Sequence, residues 1–332
     1  MKITVTAPNR IDLAGGTTDL HPLYLFMDGG CTVNVGISLF SRVSFRTKER
    51  GIRIASEDLN TMVEAEEPAQ LPVDGPLGLL GRAVRALPPP TGLEITTRND
   101  APAGSGLGAS SALLICMVQG LLTLRSEVTD RRLIISLGVG IETSAIGVPA
   151  GSQDHIAAAY GGVSVLEFGF RGFVRNQPTQ GNKRLEDTMI LSYTGEGRFS
   201  GMNNWEVTKS FIEGTGGVRE KLIRIRDLAR ETGAALLSGE WAALPRLVDE
   251  EWHIRKTLAP GVSTPQIDAM MTAARNAGAL ANKICGAGGG GCMITLVESS
   301  HRESVEQALA NAGGRLLPFS IDTRGLSMTI DA

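Results

Sequence analysis

Cysteine is scarce. The 332-residue chain has four, Cys31, Cys116, Cys285 and Cys292, scattered and set mostly among apolar neighbours. That is neither the density of a disulfide scaffold nor the spacing of a zinc site, so reduced thiols in a cytoplasmic setting are expected. Basic residues are not in excess either: 32 Lys and Arg against 35 Asp and Glu give a net charge of −3. The electrostatic footprint of a nucleic-acid binder is missing. No run approaches the ~18 apolar residues of a membrane helix. The opening Met1-Lys-Ile-Thr-Val-Thr-Ala-Pro8 is strand-like and lacks a signal peptide's apolar core. No internal repeat is evident. Nucleic-acid and membrane partners are therefore not expected. What remains, 42% hydrophobic and 20% charged, is ordinary for a globular protein. The length is large for one core and suggests two domains.

Glycine is present in force, and it clusters. Residues 101–125 place Gly104, Gly106 and Gly108 in alternation, then Ser110 and Ser111, then an apolar run at helical spacing. Alternating glycines let backbone approach a bulky ligand and reach positive φ. Ser110 or Ser111 is a candidate N-cap. A glycine-rich turn opening a helix offers free N–H groups and a helix dipole to an anion. No Lys follows, so this is not the Gly-x-x-x-x-Gly-Lys-Ser/Thr loop. One glycine would read as a plain turn; the whole set reads as a phosphate cradle.

Along the chain, residues 2–7 alternate as a strand that Pro8 should end. Asn9 to Asp19 then read as a polar, glycine-containing turn, the kind of segment that carries function. Arg10 alone reads equally as a surface charge, and Asp19 as a turn residue. Strands are expected near 31–37, 42–46 and 93–98, a strand and a polar loop over 52–66, and a helix over 76–87. Asp130 should cap a helix running to about Ile141, with Glu142 near its end, where a carboxylate opposes the dipole. That conflict fits a metal or a solvated side chain equally. Asp154 opens a short helix and could be only its cap; His155 is given no chemistry. Strands over 163–176 and 189–194 precede helices near 219–232, 237–250 and 266–277. A second glycine run, Gly286 to Gly291, leads into a strand. A helix over 301–312 and strands near 315–330 close the chain.

The run Gly286-Ala-Gly-Gly-Gly-Gly291 matches Gly-x-Gly-x-x-Gly, so dinucleotide binding must be weighed. That fingerprint needs a strand before and a helix after, in an N-terminal βαβ unit. Here a strand follows and the run lies late in the chain. The better reading is a loop packed against other backbone and bordering a ligand.

Three motifs in order carry a resemblance: Pro8 to Asp19, Pro102-Ala-Gly-Ser-Gly-Leu-Gly-Ala-Ser-Ser-Ala112, and Lys283 to Cys292. Together they resemble the GHMP kinases, the family of galactokinase, homoserine kinase, mevalonate kinase and phosphomevalonate kinase. Arg10-Ile-Asp-Leu-Ala-Gly-Gly-Thr-Thr-Asp19, Gly151-Ser-Gln-Asp154, Tyr193-Thr-Gly and Glu251-Trp-His-Ile-Arg-Lys256 resemble the subgroup of bacterial D-glycero-D-manno-heptose 7-phosphate kinases. The resemblance implies an α+β (α/β sandwich-type) two-domain fold. A ribosomal-protein-S5-like N-terminal domain would span 1–180, and a ferredoxin-like C-terminal domain 181–332.

It also implies roles. Pro102, Gly104, Ser105, Gly106, Leu107, Gly108, Ala109, Ser110 and Ser111 would wrap the phosphates of ATP. Ser110 and Glu142 would hold Mg²⁺. Asp154 would approach the acceptor hydroxyl as base or orienting group, with Arg10 near the transferring phosphoryl group. Asp19, Gly16, Thr17, Gln153, Arg198, Gly288 and Gly289 would meet the sugar, and Arg198 with Lys256 would be candidates to grip a substrate phosphate. Gly16 and Thr17 stand where galactokinase has a Glu-His pair, which points away from galactose. The implied partners are ATP and a small sugar or sugar phosphate; a homodimer stays open. The implied reaction is transfer of the γ-phosphoryl of MgATP to the anomeric hydroxyl of the heptose 7-phosphate. The rivals are a sugar-1-kinase for a free aldose such as fucose, and a non-catalytic sugar sensor. Degenerate sensors lose reactive groups, whereas Arg10, Ser110, Glu142 and Asp154 are all present.

Overall fold

The computed structural model describes residues 1–178, 182–197 and 201–331, with the side chains of 201–203 excepted. Twelve strands are present among the described residues: β1 (Lys2–Ala14), β2 (Gly30–Lys48), β3 (Ile52–Ser56), β4 (Thr61–Ala65), β5 (Gly92–Asn99), β6 (Val163–Gly169), β7 (Gly172–Asn176), β8 (Met189–Tyr193), β9 (Ala279–Ile284), β10 (Cys292–Val297), β11 (Arg315–Leu316) and β12 (Ser327–Asp331). Ten helices accompany them: α1 (Gly78–Ala86), α2 (Ala109–Leu124), α3 (Arg131–Ile146), α4 (Gln153–Tyr160), α5 (Asn182–Thr188), α6 (Gly201–Glu213), α7 (Val218–Ser238), α8 (Leu244–Arg255), α9 (Pro265–Asn276) and α10 (Arg302–Asn311). None is long and apolar enough to cross a membrane.

The strands form two sheets. The first runs β12-β1-β2-β5-β3-β4, with β6 and β7 branching from β2. The branch exists because β2 is long. Its first part, Gly30 to Val35, pairs β6, and its last part, Ser41 to Lys48, pairs β5. The second sheet runs β11-β8-β10-β9. All pairs are antiparallel except β3 with β5, as an α+β chain should show. The final strand returns to pair β1, so the end of the chain lies in the first sheet.

Pro8 does not end the first strand. The pairing of β1 with β2 shifts register between Pro8 and Asn9 and then continues to Ala14. A proline has no N–H to give to the ladder and is tolerated at such an irregularity. Arg10 and Asp12 are therefore strand residues, and the turn begins at Gly15. Elsewhere the expected elements recur. Residues 52–66 hold two strands in place of one strand and a loop, and the helix expected over 237–250 breaks at Gly239 between α7 and α8.

Helix α2 is the centre of the first core. Residues 111–122 are all buried, on every side of the helix. A helix apolar all round has to be enclosed, and α2 lies against β1 and β2 with α1, α3 and α4 about it. Its N-terminus is thereby fixed beside Arg10 of β1 and the first turn of α4. Close packing at Gly120 sets the depth: a Cβ there would meet Phe45 Cε2 at 2.1 Å. Gly120→Ala should destabilise the fold by about 1–3 kcal/mol in urea melts, as overpacked cores do. Adding Phe45→Leu should give less than the sum of the two single effects. Strict additivity would show that the contact does not limit the packing.

Candidate active site

A cleft of about 550 Å³ lies where β1, the 102–109 turn, α2, α3, α4 and the 286–291 loop converge. The turn is built for it. Gly108 holds φ +72° and caps α2 with no side chain, so Ser110 and Ser111 are first-turn residues and not caps as expected. The first N–H groups of the helix are thus left for a ligand. Both hydroxyls point at one partner instead. Ser110 Oγ donates to Glu142 Oε1 at 3.0 Å, and Ser111 Oγ to Glu142 Oε2 at 2.9 Å. Glu142 sits inside the last turn of α3, which runs on to Ile146 from its Asp130 cap.

Arg10 joins the other wall. Its Nε donates to Asp154 Oδ1 at 2.8 Å and its Nη2 lies 2.6 Å from the same oxygen. Its Nη1 donates to the Gly106 carbonyl at 2.6 Å. Burial works against the charge of Arg10, but Asp154 and Asp12 outweigh it and hold its pKa above the ordinary value. Asp154 is in the first turn of α4, beyond Ser152, so it is free of capping duty. A Cβ on Gly108 would come within 3.2 Å of its carboxyl carbon. The turn and Asp154 are therefore direct neighbours. Asp19 is buried and accepts the Gln153 N–H at 2.9 Å.

Several expected site residues line this cleft: Arg10, Gly16, Thr17, Asp19, Gln153 and Asp154 on one side; Pro102, Gly104, Ser105, Gly106, Gly108 and Ala109 along the turn; and Ser110, Ser111 and Glu142 on the other side. Others do not. Leu107 is fully buried in the core and offers the site only its carbonyl, which accepts the Arg10 N–H. Gly288 and Gly289 are buried against Val262; Gly286 and Ala287 border the cleft in their place. Lys256 is exposed and away from the lining, and Arg198 lies outside the described residues. The second glycine run does meet backbone, since Cys292 N–H donates to the Ser105 carbonyl at 2.7 Å.

Some features had no readable signal. His155 is fully buried with Nε2 3.3 Å from Glu142 Oε2. Leu59, Val73, Leu77, Leu80 and Leu113 give the cleft an apolar end beyond the turn, and Asn204 of α6 reaches its rim. Behind the Gly15–Asp19 turn lie four buried charges, Asp12, Glu251, Arg255 and Lys283. For a metal, the fit rests on donor chemistry. Ser110 and Glu142 present a hydroxyl and a carboxylate side by side on the cleft wall, the hard oxygen set that suits Mg²⁺.

Comparison with known proteins gives the family. Residues 78–162 match the family described as GHMP kinases N terminal domain, and residues 234–315 that described as GHMP kinases C terminal. The chain is 28% identical to a D-glycero-alpha-D-manno-heptose 7-phosphate kinase of Campylobacter jejuni, over 98% of each sequence. It is 26% identical over 90% of its length to a bifunctional fucokinase/GDP-fucose pyrophosphorylase of Arabidopsis thaliana, of which the match spans 30%. A solved D-glycero-D-manno-heptose 1-phosphate kinase from Bacteroides thetaiotaomicron superposes with a TM-score of 0.79 at 28% identity, covering 99% of each chain. Lactococcus lactis galactokinase complexed with galactose is similar in fold, with a TM-score of 0.78 at 19% identity, covering 98% of this chain and 95% of that one.

Burial pushes the Asp19 carboxyl up to about 6, against the pull of the Gln153 N–H; the charges of Asp154 and Asp12 add to the rise. Folding thus favours the neutral form. That contribution is fully present below the ordinary carboxylate range and is lost as pH rises through about 6. Asp19→Asn stays neutral throughout, so its stability relative to the parent should improve between about pH 5 and about pH 8. Urea melts at the two pH values check this; an equal offset at both would mean that Asp19 titrates normally.

Proposed function

The chain belongs to the GHMP kinases, and from that premise we propose that it transfers the γ-phosphoryl of MgATP to the anomeric hydroxyl of D-glycero-D-manno-heptose 7-phosphate. One observation carries the reading: Asp154, paired with Arg10, sits against the glycine turn whose far side holds Ser110 and Glu142, all in one cleft. The sugar preference is supported by the two heptose kinases among the relatives, each matched along nearly the whole chain. We take 1–180 as the nucleotide-binding part and 181–332 as the C-terminal part.

The triphosphate lies along Gly104 to Ser111, on backbone N–H groups that no side chain caps. The adenine takes the apolar end formed by Leu59, Val73, Leu77, Leu80 and Leu113. Ser110 and Glu142 hold Mg²⁺, which neutralises phosphate charge when bound. Asp19, Thr17 and Gln153 receive the sugar hydroxyls. Arg10 places both bonds to Asp154 on Oδ1, which leaves Oδ2 to accept the attacking hydroxyl. A carboxylate held in place by a guanidinium is a firm guide for the hydroxyl. Loose phosphoryl-transfer transition states ask more for alignment than for early proton removal. The guanidinium itself stands by the transferring group and offsets its charge.

Asp154→Ala should lower kcat by about 10²–10⁴-fold in a chain that still folds, and should lower its melting temperature as well, because the buried Arg10 loses its partner. Glu142→Ala should raise the Mg²⁺ concentration needed for half-maximal rate. A coupled ADP-release assay over heptose 7-phosphate and free aldoses, with NMR location of the new phosphate, tests the acceptor. Turnover of fucose or galactose alone would move the chain to the sugar-1-kinases. Nucleotide and sugar binding without turnover would leave the sensor reading.

A further inference from the structure

Four charged side chains take no part in the chemistry above and are buried more deeply than any of its groups. Asp12 on β1, Glu251 and Arg255 on α8, and Lys283 on β9 are at most 1% exposed. A buried ion pair rarely stabilises a fold more than apolar packing of equal volume. Two of them side by side call for another reason, and their contacts give one.

Arg255 donates from Nε and Nη2 to Glu251 Oε1, at 2.9 and 2.6 Å. The same Nη2 donates to the Gly16 carbonyl at 2.7 Å, and Nη1 to Thr17 Oγ1 at 3.4 Å. Glu251 Oε1 accepts the Gly15 N–H at 3.3 Å. Lys283 Nζ donates to the Asp12 carbonyl at 3.0 Å, lies 3.1 Å from Asp12 Oδ2 and reaches Glu251 Oε2 at 4.0 Å. These contacts converge on the strand end and turn formed by Asp12, Gly15, Gly16 and Thr17. Thr17 has φ +77°, a left-handed conformation that a β-branched residue avoids. Something must hold it there. The opposite face of the same turn, Gly16, Thr17 and Asp19, lines the cleft.

We propose that the Glu251–Arg255 pair, seated on Lys283 and Asp12, is a positioning device for the acceptor-binding turn. It fixes Gly16 and Thr17 from behind so that Thr17 and Asp19 meet the sugar. It also makes acceptor binding depend on α8, an element over two hundred residues away in sequence. The proposal rests on the reading of residues 16–19 as the sugar face. These are positioning residues: none of the four is among the residues lining the cleft.

The test compares Arg255→Lys, which keeps the charge but not the guanidinium fork, and Glu251→Gln, which keeps the shape but not the charge. Heptose 7-phosphate is the acceptor, or the aldose that replaces it in the panel. Each variant should raise the acceptor KM about tenfold, the size expected for one charge-assisted bond, with the ATP KM and the Mg²⁺ requirement unchanged. A rise in both KM values together, a fall in kcat alone, or no change would overturn the proposal. Should the variants not fold, hydrogen–deuterium exchange of the wild-type chain decides. The acceptor, and not ATP, should slow exchange in peptides covering 15–19 and 247–258 alike. Slowing at 15–19 alone sinks the device and spares the sugar face. No slowing at 15–19 sinks the sugar face itself.

Discussion

A buried guanidinium is the tie on which the site depends. Arg10 is 3% exposed, and a charge removed from water must be met by an opposite charge or by oriented dipoles. It is met by Asp154 from α4 and by the Gly106 carbonyl from the turn before α2. Three segments, far apart in sequence, are thereby held within hydrogen-bond distance of one atom group. Loss of any one partner leaves charge unanswered in a closed place. The contacts that satisfy Arg10 are thus also the ones that hold the walls of the cleft together.

The same economy appears at the seam between the sheets. The second glycine run reads as a loop packed against other backbone and bordering a ligand, and one of its partners is the first glycine turn: Cys292 N–H reaches the Ser105 carbonyl, and Cβ atoms on Gly106 and Gly291 would collide with backbone carbonyls. Side chains are missing there because two backbones touch. Behind the neighbouring turn, charges gather in opposite pairs, Asp12 with Lys283 and Glu251 with Arg255. Burial alone would raise the Asp12 carboxyl, but Lys283, Arg255 and Arg10 hold it below the usual range. The interior stays neutral as a whole while supplying rigid donors to backbone that would not otherwise keep its shape.

Much of this was legible in the chain. The glycine-serine turn, the helix after it, the Asp130 cap and the identities of Arg10, Glu142 and Asp154 follow from local pattern and resemblance, because each is a short-range signal. What stayed hidden depends on long-range contact. Pro8 looked like a strand end because the irregularity opposite Phe40 is a property of the partner strand. Leu107 looked like a turn residue because its neighbours are; only the fold turns its side chain into the core. Gly288 and Gly289 were indistinguishable from Gly286 within one run until Val262 was placed against them. His155 is given no chemistry by the sequence, and Asp12, Glu251, Arg255 and Lys283 stand inside the resembling motifs without a role, because burial of charge leaves no mark on composition.

The charge of the cleft bears on how a polyanion can enter it. Among its described lining residues Asp19, Asp58, Asp74, Glu142 and Asp154 face a single cation, Arg10, and that cation is already paired. Such walls repel a bare triphosphate, and the low-dielectric interior strengthens the repulsion. Backbone N–H groups at the start of α2 offset part of it, but they carry only partial charge. Ser110 and Glu142 would hold a divalent cation on the proposed reading, and its charge would offset that of the acidic wall. Asp19, whose carboxyl burial pushes up to about 6, is the lining group whose charge changes with mild acidity. Asp19 and Glu142 are thus two separate carboxylates of one cleft, and the hydrogen bonds of the Arg10 side chain go to Asp154 and the Gly106 carbonyl.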